Sequence, residues 1–168
     1  MSLRPALPED FAFIRSLAQR PSYGVYITDE DEAQLTIYAT DPAHRLLIWE
    51  EEGAQAGFAL FCGLDEPSRV VELRRLALDV TGQGRGLGFV QTLTDYGFAV
   101  LGAERIWLDA SGENRRAQVI YERVGYTLEG RLRRHWWRPM LGGVVDLMLY
   151  GMLRAEWEAA RGLAAPVA

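Results

Sequence analysis

Residues 81–89, TGQGRGLGF, set four glycines at alternate positions, Gly82, Gly84, Gly86 and Gly88, with Gln83 and Arg85 among them. The run follows a strand-like stretch and opens a helical one. Backbone N–H groups then gather at the positive end of a helix dipole, where phosphate binds well. The common nucleotide loops do not fit: no Lys-Ser/Thr follows as in a triphosphate loop, and no register gives G-x-G-x-x-G. Spacing alone leaves two readings, another phosphate-bearing ligand or a turn with no ligand. Nearby lie Glu72, four residues before Leu76; Asp109; and Tyr121, seven residues after Asn114 and so on the same helix face about two turns away.

The elements that must position these groups can be read from periodicity. Residues 8–20 form a helix, with Pro8 in its first turn and Phe11, Ile14, Leu17 and Ala18 at helical spacing, and a shorter helix covers 30–39. Residues 44–51, 54–64 and 69–79 read as three consecutive strands, a meander. A helix runs from Gly86 to about Leu101, and residues 105–110 form a short strand. In 114–125, Asn114 can cap a helix whose stripe is Ala117, Ile120, Tyr121 and Val124, and Gly125 can end it. Residues 126–137 and 144–153 make a hairpin, and 154–163 a last short helix, with a mobile tail expected over 163–168.

The 168 residues, 49% hydrophobic, suit one domain over 1–168. The 18 basic residues are all arginine, and 23 acidic residues bring the formal net charge to -5. No broad attraction to nucleic acid or anionic membrane follows, so neither is expected as a partner. A lone Cys62 in an apolar run reads as a buried thiol in a reducing compartment, and with only His44 and His135 beside it no metal site is expected. The start lacks a signal-peptide pattern and no apolar run spans a membrane, so the expected location is cytoplasmic.

Gln83-x-x-Gly86-x-Gly88 resembles the pyrophosphate loop of the GNAT superfamily of acyl-CoA N-acyltransferases. Residues 71–98 are similar to that family's central strand, loop and helix, and 108–133 to its next strand and helix in the ribosomal-protein N-acetyltransferase-like branch. The opening LRPALPEDFAFI is also similar, so the resemblance covers nearly the whole chain. It implies an α+β fold with a mixed, mostly antiparallel central sheet of six to seven strands, flanked by helices and split in a V between two parallel central strands. It also implies acetyl-CoA as co-substrate and direct attack by a primary amine in a ternary complex. By resemblance the cofactor contacts are Leu76, Ala77 and Leu78 along the arm, Gln83, Gly84, Arg85, Gly86, Leu87, Gly88 and Phe89 at the phosphates, and Asn114, Ala117 and Tyr121 on the next helix, with the Leu76 N–H near the thioester oxygen.

The resemblance implies that Tyr121 protonates the leaving thiolate; the residue pattern alone also allows a core position for it. Glu72 matches a base glutamate of some relatives, although Arg74, two residues on, can simply pair with it. At strand rise Glu72 lies roughly 13 Å from Leu76, on the same face. Asp109 aligns with another family base and is one carbon shorter. The acceptor, a small-molecule amine or a protein N-terminus, is expected between 20–32 and 134–143. The acidic run 29–32 can attract a cation or merely start a helix, and of Trp136 and Trp137 at most one lines a pocket. A homodimer through the C-terminal strands is a further expectation. The competing classes are a non-catalytic CoA-binding regulatory module and a nucleic-acid binder using RLRRHWWR, residues 131–138.

Overall fold

The structure is a computed structural model describing residues 2–163. Its strands are β1 (Ser2–Pro5), β2 (His44–Glu51), β3 (Ala54–Cys62), β4 (Val70–Leu78), β5 (Arg105–Ser111), β6 (Thr127–Arg138) and β7 (Gly143–Leu153). Its helices are α1 (Phe11–Ala18), α2 (Pro21–Gly24), α3 (Glu32–Thr40), α4 (Arg85–Ala99), α5 (Arg115–Val124) and α6 (Arg154–Ala160). Among the described residues the strands form one seven-stranded sheet in the order β1-β2-β3-β4-β5-β7-β6. Of the tail expected over 163–168, residues 164–168 lie outside those residues. Two short elements carry no periodic signal: β1, and the single turn α2 that Pro21 begins.

The meander is present as read, with β2, β3 and β4 paired antiparallel. Parallel pairing joins β4 to β5 only at Val70 with Arg105, Val71 with Ile106 and Glu72 with Trp107. β5 instead pairs antiparallel with β7 over its whole length, from Arg105 with Leu153 to Ser111 with Leu147. Beyond Trp107 the two central strands diverge. Residues 73–78 of β4 then have β3 on one side and, among the described residues, no strand on the other, and this is the expected V-shaped split.

A bulge corrects one detail of the sequence reading. The β3–β4 register passes from Leu60 opposite Arg75 to Phe61 opposite Leu73, leaving Arg74 as the extra residue. An extra residue reverses the alternation of faces beyond it. Val71, Leu73, Leu76 and Leu78 all pack with the α4 and α5 side of the sheet, while Ala77 packs with the α1 and α3 side. Glu72 and Leu76 are therefore on opposite faces.

Each face of the sheet has its own core. Phe89, Val90, Leu93 and Phe98 of α4 and Tyr121 of α5 pack on Phe61, Leu73, Ile106 and Leu108. Phe11, Ile14 and Leu17 of α1 and Leu35 and Tyr38 of α3 pack on Leu46, Ile48, Phe58 and Leu60. Cys62 belongs to the second core, and burial pushes its thiol up to about 11. No helix among the described residues is long and apolar enough to cross a membrane.

Gly57 on β3 sets how closely β4 approaches. A Cβ there would stand 2.6 Å from the carbonyl oxygen of Ala77. Since a backbone atom cannot swing aside, Gly57→Ala is expected to destabilise the protein by about 1–3 kcal/mol through overpacking. Urea unfolding checks it, the expected outcome being a lower midpoint at an unchanged slope.

Candidate active site

The split holds a cavity of about 400 Å³. One wall is β4 from Glu72 to Leu78. A second is formed by Gly86 and Phe89 of α4, Asp109 of β5, and Asn114, Ala117 and Tyr121 at α5. The third comes from residues 22–28 around α2, with Trp136 of β6. Leu76, Ala77, Leu78, Gly86, Phe89, Asn114, Ala117, Tyr121, Glu72 and Asp109 are thus brought to one space. Gln83, Gly84, Arg85, Leu87 and Gly88 lie outside the cavity lining, around the start of α4.

The geometry of that start suits an anion. Gly82, Gln83 and Gly84 have φ of 107°, 48° and 77°, three successive left-handed residues that only glycine adopts freely. The N–H groups of Arg85, Leu87 and Gly88 turn back to Gly82 or Gly84, whereas those of Gln83, Gly84 and Gly86 make no backbone hydrogen bond among the described residues. Unpaired N–H groups at a helix N-terminus form an anion seat. Gly86 has a packing role as well, since a Cβ there would stand 3.0 Å from the Ile120 Cδ1 of α5. Arg85, expected at the phosphates, is instead paired with Glu51. Arg116, which the sequence reading passed over, lines the cavity and has no ion-pair partner among the described residues.

Leu78 reveals which way the free edge of β4 faces. Its N–H is taken by the Tyr23 hydroxyl at 2.9 Å, on the side away from β3. Alternate strand residues direct their N–H groups to one edge, so the Leu76 N–H also faces the cavity. Asn114 caps α5, its side-chain oxygen accepting from the Ala117 N–H at 3.2 Å, which leaves its amide nitrogen for other contacts. Gln118 fixes the turn before that cap, donating to the carbonyls of Ser111 and Gly112 at 3.0 and 3.1 Å.

The titratable groups divide clearly. Glu72 accepts from Arg74 at 2.9 and 2.6 Å, both bonds falling on one carboxylate oxygen, so the pairing seen in the sequence is realised. Asp109 has no hydrogen-bond or ion-pair partner among the described residues. Burial, then the nearby charge of Glu72, raises its carboxyl to about 6, against smaller opposing effects of Arg74 and His135. The Tyr121 ring meets Tyr150 edge-on at 5.6 Å, and its hydroxyl has no partner among the described residues. Burial, followed by the charge of Asp109, holds its phenol well above the ordinary range, so it remains a proton donor.

On the acceptor side Trp136 lines the cavity and Trp137 is 57% exposed. Arg138, unforeseen, stacks 4.0 Å over the Trp136 ring and donates to the carbonyls of Val25 and Gly24 at 2.8 and 3.0 Å. It fastens the α2 segment to β6. The acidic run is used structurally: Asp29 by Arg15, Glu30 by Arg75, and Asp31 as the cap of α3. Among the described residues no three or more His, Cys, Asp and Glu side chains cluster as a metal site would require.

A sequence profile described as the acetyltransferase (GNAT) family matches residues 11–126. The chain is 28% identical to spermidine N(1)-acetyltransferase of Escherichia coli (strain K12), across 79% of this chain and 75% of that one. It is also 28% identical to the putative ribosomal N-acetyltransferase YdaF of Bacillus subtilis (strain 168), across 64% of this chain and 58% of that one. Among solved structures, spermidine N-acetyltransferase from Vibrio cholerae in complex with CoA and spermine superposes with a TM-score of 0.79 at 20% identity, covering 93% of this chain and 96% of that one. At that identity the likeness speaks for the fold.

Asp109 makes a stability prediction with a definite sign. A carboxyl raised from 3.8 to about 6 favours the folded state below pH 4, and that contribution is lost as pH rises through 6. Asp109→Asn lacks the charge, so the stability of the variant relative to wild type should grow by ~2–3 kcal/mol between pH 4 and pH 7. Urea unfolding at the two pH values measures this.

Proposed function

As a member of the GNAT acetyltransferase family, to which this chain belongs, the protein is an acetyl-CoA-dependent N-acetyltransferase, and we propose that its acceptor is the primary amine of a small molecule. The observation that carries the reading is the single cavity in which the open edge of β4, the unpaired Asp109 and the unpaired Tyr121 hydroxyl meet. The α2 segment and Trp136 close its acceptor side, which suits a small amine better than a polypeptide end. The relatives named for spermidine acetylation support the same class.

In this reading the arm of acetyl-CoA lies along β4 at Leu76–Leu78 as an added strand would, with its phosphates at Gln83–Gly86 and Arg116. The amine nitrogen attacks the thioester carbon directly. Asp109, ionised at neutral pH yet more basic than an ordinary aspartate, takes the proton the nitrogen sheds. The Leu76 N–H meets the negative charge that develops on the thioester oxygen. The carbon–sulfur bond then breaks, and Tyr121 gives its proton to the departing sulfur, leaving CoA thiol and the acetylated amine. Glu72, held by Arg74, acts through its charge on Asp109 and accepts no proton from substrate.

The test is CoA thiol release from acetyl-CoA with polyamines, amino acids, aminoglycosides and peptides bearing free N-termini. A small-molecule pool should give release and the peptides should not. For the active amine, kcat/KM should rise with pH through an apparent pKa near 6. Asp109→Asn should abolish that limb and cost about 10²-fold or more, and Tyr121→Phe should lower kcat. Glu72→Gln should shift the limb to lower pH while retaining turnover. Peptides as the best acceptors, or a retained limb in Asp109→Asn, would count against the respective assignment.

A further inference from the structure

The Tyr23 hydroxyl is bound twice to one residue, accepting from the Leu78 N–H at 2.9 Å and donating to the Leu78 carbonyl at 2.8 Å. The N–H and C=O of a strand residue point to the same edge, so the hydroxyl occupies the place where the next strand would lie. Its surroundings hold it there. Arg20 donates to the Asp79 carbonyl at 2.8 Å and pairs with the Asp79 carboxylate, while Arg138 grips the carbonyls that follow Tyr23. The residue thus joins the free edge of β4 to the segment that walls the acceptor side.

We propose that Tyr23 is a positioning residue that stands in for the arm of acetyl-CoA, its hydroxyl holding Leu78 until an amide of the arm takes both bonds. The proposal rests on the reading that the arm docks on the open edge of β4. A secondary amide carries one N–H donor and one carbonyl acceptor, the same pair of functions the hydroxyl supplies. Both cannot hold Leu78 at once. Leu76, two residues back on the same edge, has no such guard among the described residues, so the arm meets one open and one occupied position. Ser22, Tyr26 and Ile27, beside Tyr23 in the chain, line the same cavity, so its release by the arm changes the acceptor wall at that side chain while Arg20 and Arg138 keep the segment fastened. Cofactor binding and the shape of the amine site are linked through one hydroxyl.

The experiment titrates acetyl-CoA into wild type and Tyr23→Phe in the absence of amine, and follows exchange of the Leu78 amide. Removing a competitor tightens binding, so Tyr23→Phe should bind acetyl-CoA about three- to ten-fold more tightly, the scale of one or two net hydrogen bonds. Without ligand, Leu78 exchange should be slow in wild type and faster in the variant; with saturating acetyl-CoA it should be slow in both. A side chain with a merely structural role would give weaker or unchanged binding in the variant, and that result overturns the proposal alone. Wild-type protein that binds no acetyl-CoA overturns the underlying docking reading and the proposal together.

Discussion

The structure depends on a parallel pairing that stops early. Three residue pairs join β4 to β5, and then β7 claims β5 along its full length. A central strand is left with one edge unpaired inside the molecule, where backbone groups without partners are costly. That edge needs an occupant. Tyr23 covers Leu78 in the free protein, and an extended chain bearing amides can cover the rest. The same divergence opens the passage through the sheet that lets Asp109, on one face, and Tyr121, from the helix on the other, address one space.

Around this opening arginine does most of the electrostatic work. Glu30, Glu51, Glu72 and Asp79 each have an arginine partner near the cavity or its loop. These partly exposed pairs add little stability individually, but they occupy the carboxylates that would otherwise be available to a proton. Among the described residues Asp109 is left without such a partner in a half-buried position, and its ionisation is shifted accordingly. Its availability as a base follows from what its neighbours are already bound to.

The periodic elements were legible: the meander, the two helices after the glycine loop and the C-terminal hairpin lie within a few residues of their expected bounds. Asn114 and Gly125 cap α5 as their types suggest. The bulge at Arg74 was not legible, because nothing in VVELRRLAL marks an extra residue and its only sign is the register against β3. Equally hidden were the partners of Glu51 and Leu78, since Arg85 lies 34 residues from the first and Tyr23 lies 55 from the second. Local pattern identifies which residues carry chemistry. Which of them remain free to perform it is decided by contacts that close only in the folded chain.

The most direct measurement is a crystal structure of the protein with CoA. The arm should run between β4 and β5 with its amides on the Leu76–Leu78 backbone, its phosphates at the N–H groups of Gln83, Gly84 and Gly86, and its sulfur beside Tyr121. An arm bound elsewhere, with the edge of β4 still open and Tyr23 still on Leu78, would contradict it.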